Sequence, residues 1–246
     1  MSLPVHWVAS LVGVRPGDTV PVEGDEAYHA VAVRRLRVGE GIALTDGTGT
    51  TVTGAVVATG KRELSVEVTD VRTDPEPDPA LTVVQALPKG DRGELAVEVV
   101  TEIGVSTIVP WAAARSVAVW RGERAAKSLA RWRSTAREAA KQSRRSWFPA
   151  VAELASTTEV VALVVGADLA VVLHEEATTS LASLDVPASG RFVVVVGPEG
   201  GLTDEEVAAF AEAGAVQVRL GAEVLRTSTA GLAACAALLS RTSRWA

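Results

Sequence analysis

Cysteine, tyrosine and methionine each occur only once in this chain of 246 residues. Because Cys235 has no second cysteine to pair with, no intrachain disulfide can form, and we expect a reducing, cytoplasmic location. No apolar run approaches the roughly 20 residues that a helix needs to cross a bilayer. The first ten residues have no basic residue ahead of an apolar stretch, which argues against a secretory signal.

Histidine is also scarce, and the three histidines are far apart along the chain: His6, His29 and His174. None of them has a cysteine nearby, and no spacing typical of metal ligands is found. The sequence therefore predicts a protein that needs no metal ion.

Positive charge is in the minority, with 24 Lys and Arg against 30 Asp and Glu, and a net charge of −6 argues at first sight against nucleic acid. The distribution of charge matters more than its sum. Residues 121–145 hold nine basic and two acidic side chains, and 34–37 form a second basic cluster. Such a helix face is often merely solvated, and that alternative stays open. Trp132 and Trp147 within or beside the basic run favour RNA binding, since bases stack on aromatic rings.

The first 73 residues predict a small β-rich domain. Short apolar runs at 41–44, 51–57 and 64–71 alternate with turn residues. Apolar spacing in 25–37 predicts one short helix among them. A closed or nearly closed barrel would remove the edges of so many short strands.

Alternating acidic residues and prolines at 74–79 predict an extended linker, because proline is incompatible with helix interiors and central strands. In 80–246, apolar strands alternate with helices, which predicts an α/β domain with a mostly parallel sheet covered on both faces. Its last elements are a strand at 192–196, a helix at 204–213 capped by Thr203, a strand at 216–220 and a helix at 229–239.

A glycine-rich turn follows the strand at 192–196 and reads Gly197-Pro198-Glu199-Gly200-Gly201. An ordinary turn between a strand and a helix needs about one glycine, whereas several let a ligand approach the backbone closely. The Lys-Ser/Thr pair of a phosphate-binding loop is missing. Nearby carboxylates would repel a pyrophosphate, so a cationic or uncharged ligand is favoured.

A second loop follows the strand at 216–220 and contains Gly221 and Arg226. An arginine at a strand end beside a glycine turn is suited to contact an anion or a base. The alternatives are that Arg226 forms a surface ion pair and that Thr227 or Ser228 is a plain N-cap.

These motifs together resemble the ribosomal RNA small subunit methyltransferase E family, which belongs to the knotted SPOUT methyltransferases. The likeness rests on 197–202, 220–221 and 224–227, and on further strings in the family's order, including Thr101-Glu102-Ile103-Gly104-Val105 and Leu173-His174-Glu175. In the first domain, His29, Val33, Arg35, Leu36 and Gly39, followed by Asp46-Gly47, resemble the family's PUA-like RNA-binding barrel.

The resemblance implies methyl transfer from S-adenosyl-L-methionine to N3 of a uridine in 16S ribosomal RNA of the small (30S) subunit. It also implies a trefoil knot in the domain at 80–246 and a homodimer. Arg226 is then expected to be catalytic, stabilising negative charge on the uracil. The residues expected to bind the cofactor are Leu173, His174, Gly197, Pro198, Glu199, Gly200, Gly201, Leu220, Gly221, Val224, Leu225 and Thr227. Those expected to bind RNA are His29, Arg34, Arg35, Arg115, Arg137, Gln142, Arg144 and Arg145.

Other functions remain open on the sequence alone. A SPOUT methyltransferase acting on another RNA nucleoside would share the cofactor motifs. A non-catalytic RNA-binding factor of ribosome assembly would keep the fold without the chemistry. A nucleotide-dependent oxidoreductase is disfavoured, because neither a dinucleotide fingerprint nor a phosphate-binding lysine is found.

Overall fold

The computed structural model describes residues 3–245 and divides into two units, one of residues 1–76 and 141–148, the other of 77–140 and 149–246. The outermost residues of the expected domains 1–73 and 80–246, namely 1–2 and 246, lie outside the described residues. The first unit takes in a segment, 141–148, that the sequence assigned to the second domain.

The first unit is built on one five-stranded sheet. Its strands are β1 (Val5–Trp7), β2 (Thr19–Glu23), β3 (Gly41–Thr45), β4 (Thr50–Thr59) and β5 (Glu63–Thr73). They lie in the order β1-β3-β4-β5-β2. Strands β1 and β3 are parallel, and the other neighbours are antiparallel. Alternate residues such as Leu64, Val66 and Val68 are buried, which gives the sheet one apolar face.

The structure differs from the sequence expectation in two details of this unit. The single helix expected at 25–37 is a short helix α1 (Gly24–Tyr28) that continues as one π-helical turn (His29–Val33). The segment 141–148 joins this unit because its aromatic side chains pack closely against two glycines of the unit. A Cβ at Gly47 would be 2.9 Å from the ring of Phe148, and one at Gly49 would be 2.7 Å from that of Trp147.

The second unit contains a six-stranded sheet. Its strands are β6 (Ala80–Ala86), β7 (Thr107–Trp111), β8 (Ala150–Val151), β9 (Leu169–Leu173), β10 (Arg191–Val196) and β11 (Val216–Val218). They lie in the order β11-β9-β10-β6-β7-β8, and all neighbouring strands are parallel. Its helices are α2 (Arg92–Glu102), α3 (Gly122–Gln142), α4 (Thr157–Val165), α5 (Asp204–Glu212) and α6 (Thr227–Leu239), the last two residues of α3 being counted with the first unit.

Both faces of this sheet are buried, as the continuous valines of β10 predict. Val194 and Val196 belong to the apolar core that includes α2 and α6, whereas Val193 and Val195 belong to the core that includes α4 and α5. The predicted parallel sheet between two layers of helices is therefore confirmed.

The strand order brings the loops after β9, β10 and β6 to one edge, because the carboxyl ends of parallel strands point the same way. The trefoil knot stays a prediction from the family resemblance. Among the described residues 3–245, no helix is both long enough and apolar enough to span a membrane.

Candidate active site

A cleft of about 380 Å³ opens at the carboxyl ends of β9, β10 and β11. This volume falls within the range of small-molecule sites. Arg226 lines the cleft together with eleven of the residues expected to bind the cofactor: Leu173, His174, Gly197, Pro198, Glu199, Gly201, Leu220, Gly221, Val224, Leu225 and Thr227. Gly200 is the expected residue that does not line it.

The glycine-rich turn after β10 is tight and is held from one side by Arg115. Gly201 has a φ of +72°, in the left-handed region that favours glycine. A Cβ at Gly200 would lie 3.0 Å from the backbone oxygen of Arg115. The guanidinium of Arg115 donates to the carbonyl of Leu202 at 3.0 Å and approaches that of Gly200 at 3.5 Å. Arg115, expected to bind RNA, therefore also fastens this turn.

A buried carboxylate fixes the end of the same turn. Glu206 is 4 % exposed and accepts hydrogen bonds from the backbone N–H of Ala114 at 2.8 Å and of Thr203 at 3.0 Å. The hydroxyl of Thr203 accepts from the N–H of Glu206, which completes a capping box on α5 and confirms the expected cap. The Thr-x-x-Glu spacing in the sequence indicated the role of Glu206 in the cap, but nothing in the sequence indicated its hydrogen bond with Ala114.

Glu199 joins the turn to the loop after β6. Its carboxylate accepts from the N–H of Lys89 at 3.3 Å and lies 3.5 Å from the guanidinium of Arg92. Arg92 lines the cleft and was not among the residues singled out in the sequence. The carboxylate of Glu199 therefore connects the two loops and also contributes a negative charge to the cleft.

Thr227 is not the plain N-cap that the sequence left open. The N-cap of α6 is Arg226, whose side chain makes no capping hydrogen bond. The hydroxyl of Thr227 donates instead to the carbonyl of Gly197 at 2.7 Å, across 30 residues of sequence. Ser228 lies inside the first turn and is 2 % exposed, so it is not the cap either.

The guanidinium of Arg226 has no hydrogen-bonding or ion-pair partner among residues 3–245 and is exposed at the cleft. The surface ion pair considered from the sequence is therefore not formed within that range. An unpaired guanidinium presents its donors to whatever enters the cleft.

The cleft offers both polar atoms and charges that suit a zwitterionic ligand with a positive sulfur. Nδ1 of His174 is buried at the cleft without a partner in the described range, and such an atom is usually satisfied by a ligand or water. The carboxylates of Glu175 and Glu223 also line it and can attract a cation. Gly197, Gly201 and Gly221 line the cleft and have no side chains to fill it. These residues fit S-adenosylmethionine, and their individual roles stay predictions.

The residues expected to bind RNA fall into both units, and their roles are likewise not tested by their positions. His29, Arg34, Arg35, Gln142, Arg144 and Arg145 belong to the first unit, and Arg115 and Arg137 to the second. Most of these side chains are exposed; those of His29 and Arg145 are half-buried.

Trp132 cannot stack on a base in this structure. It is 2 % exposed, packs edge-on against Trp120 with ring centroids 5.1 Å apart, and belongs to the core of the second unit. Trp147 is half-buried, and its Nε1 donates to the carbonyl of Asp74 at 2.9 Å. The aromatic part of the RNA argument is therefore wrong for Trp132.

Comparison with known proteins defines the class of this chain. The sequence model of the RNA methyltransferase domain family matches residues 75–239. The sequence model of the RNA methyltransferase PUA domain family matches residues 22–69. The predicted fold class, a PUA-like domain followed by an α/β methyltransferase domain, is therefore confirmed.

The chain belongs to the ribosomal RNA small subunit methyltransferase E family, as the motifs predicted. It is 47 % identical over 233 residues to the family member of Mycobacterium bovis, covering 93 % of this chain and 89 % of that protein. It is 31 % identical over 237 residues to the member of Bacillus subtilis, covering 93 % of each. The crystal structure of the Neisseria gonorrhoeae member bound to S-adenosyl methionine matches with a TM-score of 0.87, at 31 % identity and 98 % coverage of both chains.

Proposed function

We propose that this protein transfers a methyl group from S-adenosyl-L-methionine to N3 of one uridine in 16S ribosomal RNA. The observation that carries the proposal is the cleft itself, where two glycine-bearing loops meet beside Arg226, whose guanidinium has no partner among residues 3–245. Membership of the family and the cofactor bound to the similar gonococcal protein support it.

S-adenosylmethionine supplies an already activated methyl group on a sulfonium centre. The protein must therefore position the two reactants and manage charge on the acceptor. N3 of uracil carries a proton in the neutral base and has no available lone pair, so it must lose that proton to accept a methyl group. We propose that Arg226 faces the uracil oxygens and stabilises the negative charge that develops on them.

The glycine-rich turn at 197–201 and the loop at 220–225 would hold the cofactor, chiefly through backbone groups. His174, whose Nδ1 has no partner in the described part of the chain, would complete the polar contacts. The exposed arginines of both units would bind phosphates, and the target base must leave its stack to reach the cleft. We further propose a cytoplasmic homodimer acting on the 30S subunit.

Two measurements test the function. Isothermal titration calorimetry with S-adenosylhomocysteine is expected to show binding, and labelled methyl transfer to undermethylated 30S subunits is expected to show incorporation. Mass spectrometry of 16S ribosomal RNA from cells lacking the protein should then show the loss of one N3-methyluridine. Binding without transfer would favour a non-catalytic assembly factor, and loss of a different methylated nucleoside would reassign the target.

Chelation is expected to leave methyl transfer unchanged, because the cofactor supplies the activated group and the acceptor chemistry needs only the protein's charges. Among residues 3–245, no group of three or more His, Cys, Asp or Glu side chains is arranged to hold a metal ion. The measurement is turnover on 30S subunits before and after treatment of the enzyme alone with EDTA, followed by removal of the chelator. Keeping the chelator away from the subunits protects their own magnesium, and an enzyme inactivated by this treatment would contradict the expectation.

Replacing Arg115 with lysine separates its two possible roles. The lysine keeps the positive charge but cannot present a planar fork to the two carbonyl groups that Arg115 contacts. We expect the affinity for S-adenosylhomocysteine to fall by about three- to tenfold, while the affinity for 30S subunits stays close to that of the wild type. Calorimetry and filter binding measure the two affinities.

The exposed Arg121 offers a matched control for Arg115, since Arg121→Lys changes the same chemical group away from the turn. It should leave both affinities unchanged. If Arg115→Lys weakened only the binding of 30S subunits, Arg115 would be an RNA contact and not a support of the turn.

A further inference from the structure

A buried glutamine on β6 connects two loops of the candidate site. Gln85 is 2 % exposed in a strand whose other buried side chains are apolar. Its Nε2 donates to the hydroxyl of Thr227 and to the carbonyl of Ala86, both at 3.1 Å. Thr227 donates onward to the carbonyl of Gly197 at 2.7 Å. A buried amide costs free energy unless it is hydrogen-bonded, so core packing alone does not explain a glutamine here.

These hydrogen bonds can run in only one direction. The carbonyl oxygens of Ala86 and Gly197 only accept, so the amide nitrogen of Gln85 must face Ala86, and the single hydroxyl proton of Thr227 must point to Gly197. The hydroxyl oxygen is then free to accept from Gln85. We call this directed chain, from Gln85 through Thr227 to Gly197, the Gln85 relay.

The two ends of the Gln85 relay are the parts of the site that must be set against each other. Gly197 opens the glycine-rich turn that follows β10, and Thr227 is the first residue of α6, directly after Arg226. Both line the cleft, whereas Gln85 does not. Gln85 can therefore influence the chemistry only through the residues that it holds.

We propose that Gln85 is a positioning residue for methyl transfer, fixing the start of α6, and with it Arg226, against the turn that holds the methyl donor. This inference rests on the proposed function. Reactions between two bound groups depend steeply on their relative placement, so a small shift between Arg226 and the turn would slow transfer even when the ligands remain bound.

The decisive variants remove hydrogen bonds while keeping volume. Gln85→Met and Thr227→Val are each expected to lower the single-turnover rate, at saturating S-adenosylmethionine and 30S subunits, by about 10- to 100-fold. Because Gln85 lies outside the cleft, Gln85→Met should change the affinity for S-adenosylhomocysteine by less than about threefold. The double variant should be no slower than Thr227→Val alone, since residues that act through one chain are not additive.

Two further variants control for a merely structural effect. Thr227→Ser keeps the hydroxyl of the Gln85 relay and should transfer the methyl group at least about tenfold faster than Thr227→Val. Val84→Ala, on the same strand and fully buried, destabilises the core on the face of the sheet that packs against α4 and α5, away from α6, and should retain the wild-type rate below its unfolding temperature. Thermal unfolding of every variant shows that it is folded at the assay temperature.

The outcomes separate the two proposals. If the wild type binds S-adenosylhomocysteine and methylates 30S subunits but folded Gln85→Met does so equally fast, the positioning role of Gln85 is overturned and the function stands. A slow Val84→Ala variant would likewise overturn it, because general destabilisation would then explain the loss. If the wild type neither binds nor methylates, the proposed function fails, and the role of Gln85 fails with it.

Discussion

Arg226→Ala is expected to slow methyl transfer by about 10²- to 10³-fold, the loss typical of removing one donor that stabilises a developing negative charge. Arg226 is exposed at the cleft, and its guanidinium has no partner among residues 3–245 that would give it a structural role. The substitution should therefore leave stability unchanged. Affinity for S-adenosylhomocysteine should stay within about threefold of the wild type, because the backbone of the loops is expected to hold the cofactor.

Single-turnover rates at saturating cofactor and 30S subunits measure this effect apart from binding. Arg226→Lys keeps the charge and loses the planar fork, so it should fall between the wild type and Arg226→Ala. Arg219→Ala is the neighbouring control, since Arg219 also lines the cleft but stands before the glycine of the loop, and it should slow transfer by less than about threefold. Unchanged turnover of Arg226→Ala would remove Arg226 from the mechanism.

The sequence predicted the parts of the site that are formed by consecutive residues. The turn at 197–201 follows a strand of continuous valines and precedes a Thr-x-x-Glu cap, so its position at a strand end could be predicted. The Gln85 relay joins residues 142 positions apart, and no local pattern predicts such a pairing. One signal was available, namely a glutamine within a strand whose other residues, apart from Thr82, are apolar.

The helical periodicity of the apolar residues in α3 indicates that Trp132 faces the core. Leu129, Trp132, Ala136 and Ala139 recur at helical spacing on α3 and are all buried, which is the pattern of a core-facing stripe. The basic residues between them, Arg131, Arg133 and Arg137, are exposed. The RNA hypothesis therefore depends on the exposed arginines of this helix and not on that tryptophan.

The short strands of the first unit were missed for a different reason. β1 has three residues, too few for alternation to show. β2 contains Pro21, which discourages assignment to a strand. The proline is tolerated because β2 is an outer strand, which within residues 3–245 pairs with β5 alone. Both segments become strands because they pair with a neighbouring strand in the folded unit, and a single sequence does not show such pairings.

Glu26→Gln is expected to destabilise the first unit by about 3 kcal/mol at neutral pH. The carboxylate of Glu26 lies 2.6 Å from Nζ of Lys141 and 3.4 Å from Nδ1 of His6, and it accepts from the N–H of Trp7 at 3.4 Å. The side chains of Lys141 and His6 are 9 % and 2 % exposed, so this cluster is largely removed from water. Losing the anion removes a negative charge that lies 2.6 Å from this buried ammonium.

The pKa of Glu26 gives this prediction a distinct dependence on pH. Burial alone would raise the pKa, but His6 and Lys141, with the N–H of Trp7, lower it from 4.5 to about 2. Because the folded value lies below the unfolded one, the carboxylate contributes its full stability above about pH 4.5, and the contribution is lost as the pH falls towards 2. A difference of this size corresponds to at most about 3 kcal/mol.

The gap in stability between the wild type and Glu26→Gln should therefore be constant from pH 7 to about pH 5 and should shrink below that, because only the wild type has this proton to gain. Hydrogen exchange of the amides in β3 and β4 reports opening of the first unit separately from the second. Asp25→Asn is the matched control: Asp25 pairs with Arg62, but the side chain of Asp25 is 95 % exposed, and its loss should cost less than about 0.5 kcal/mol. A gap that stayed the same down to pH 3 would show that Glu26 acts through its shape and not through its charge.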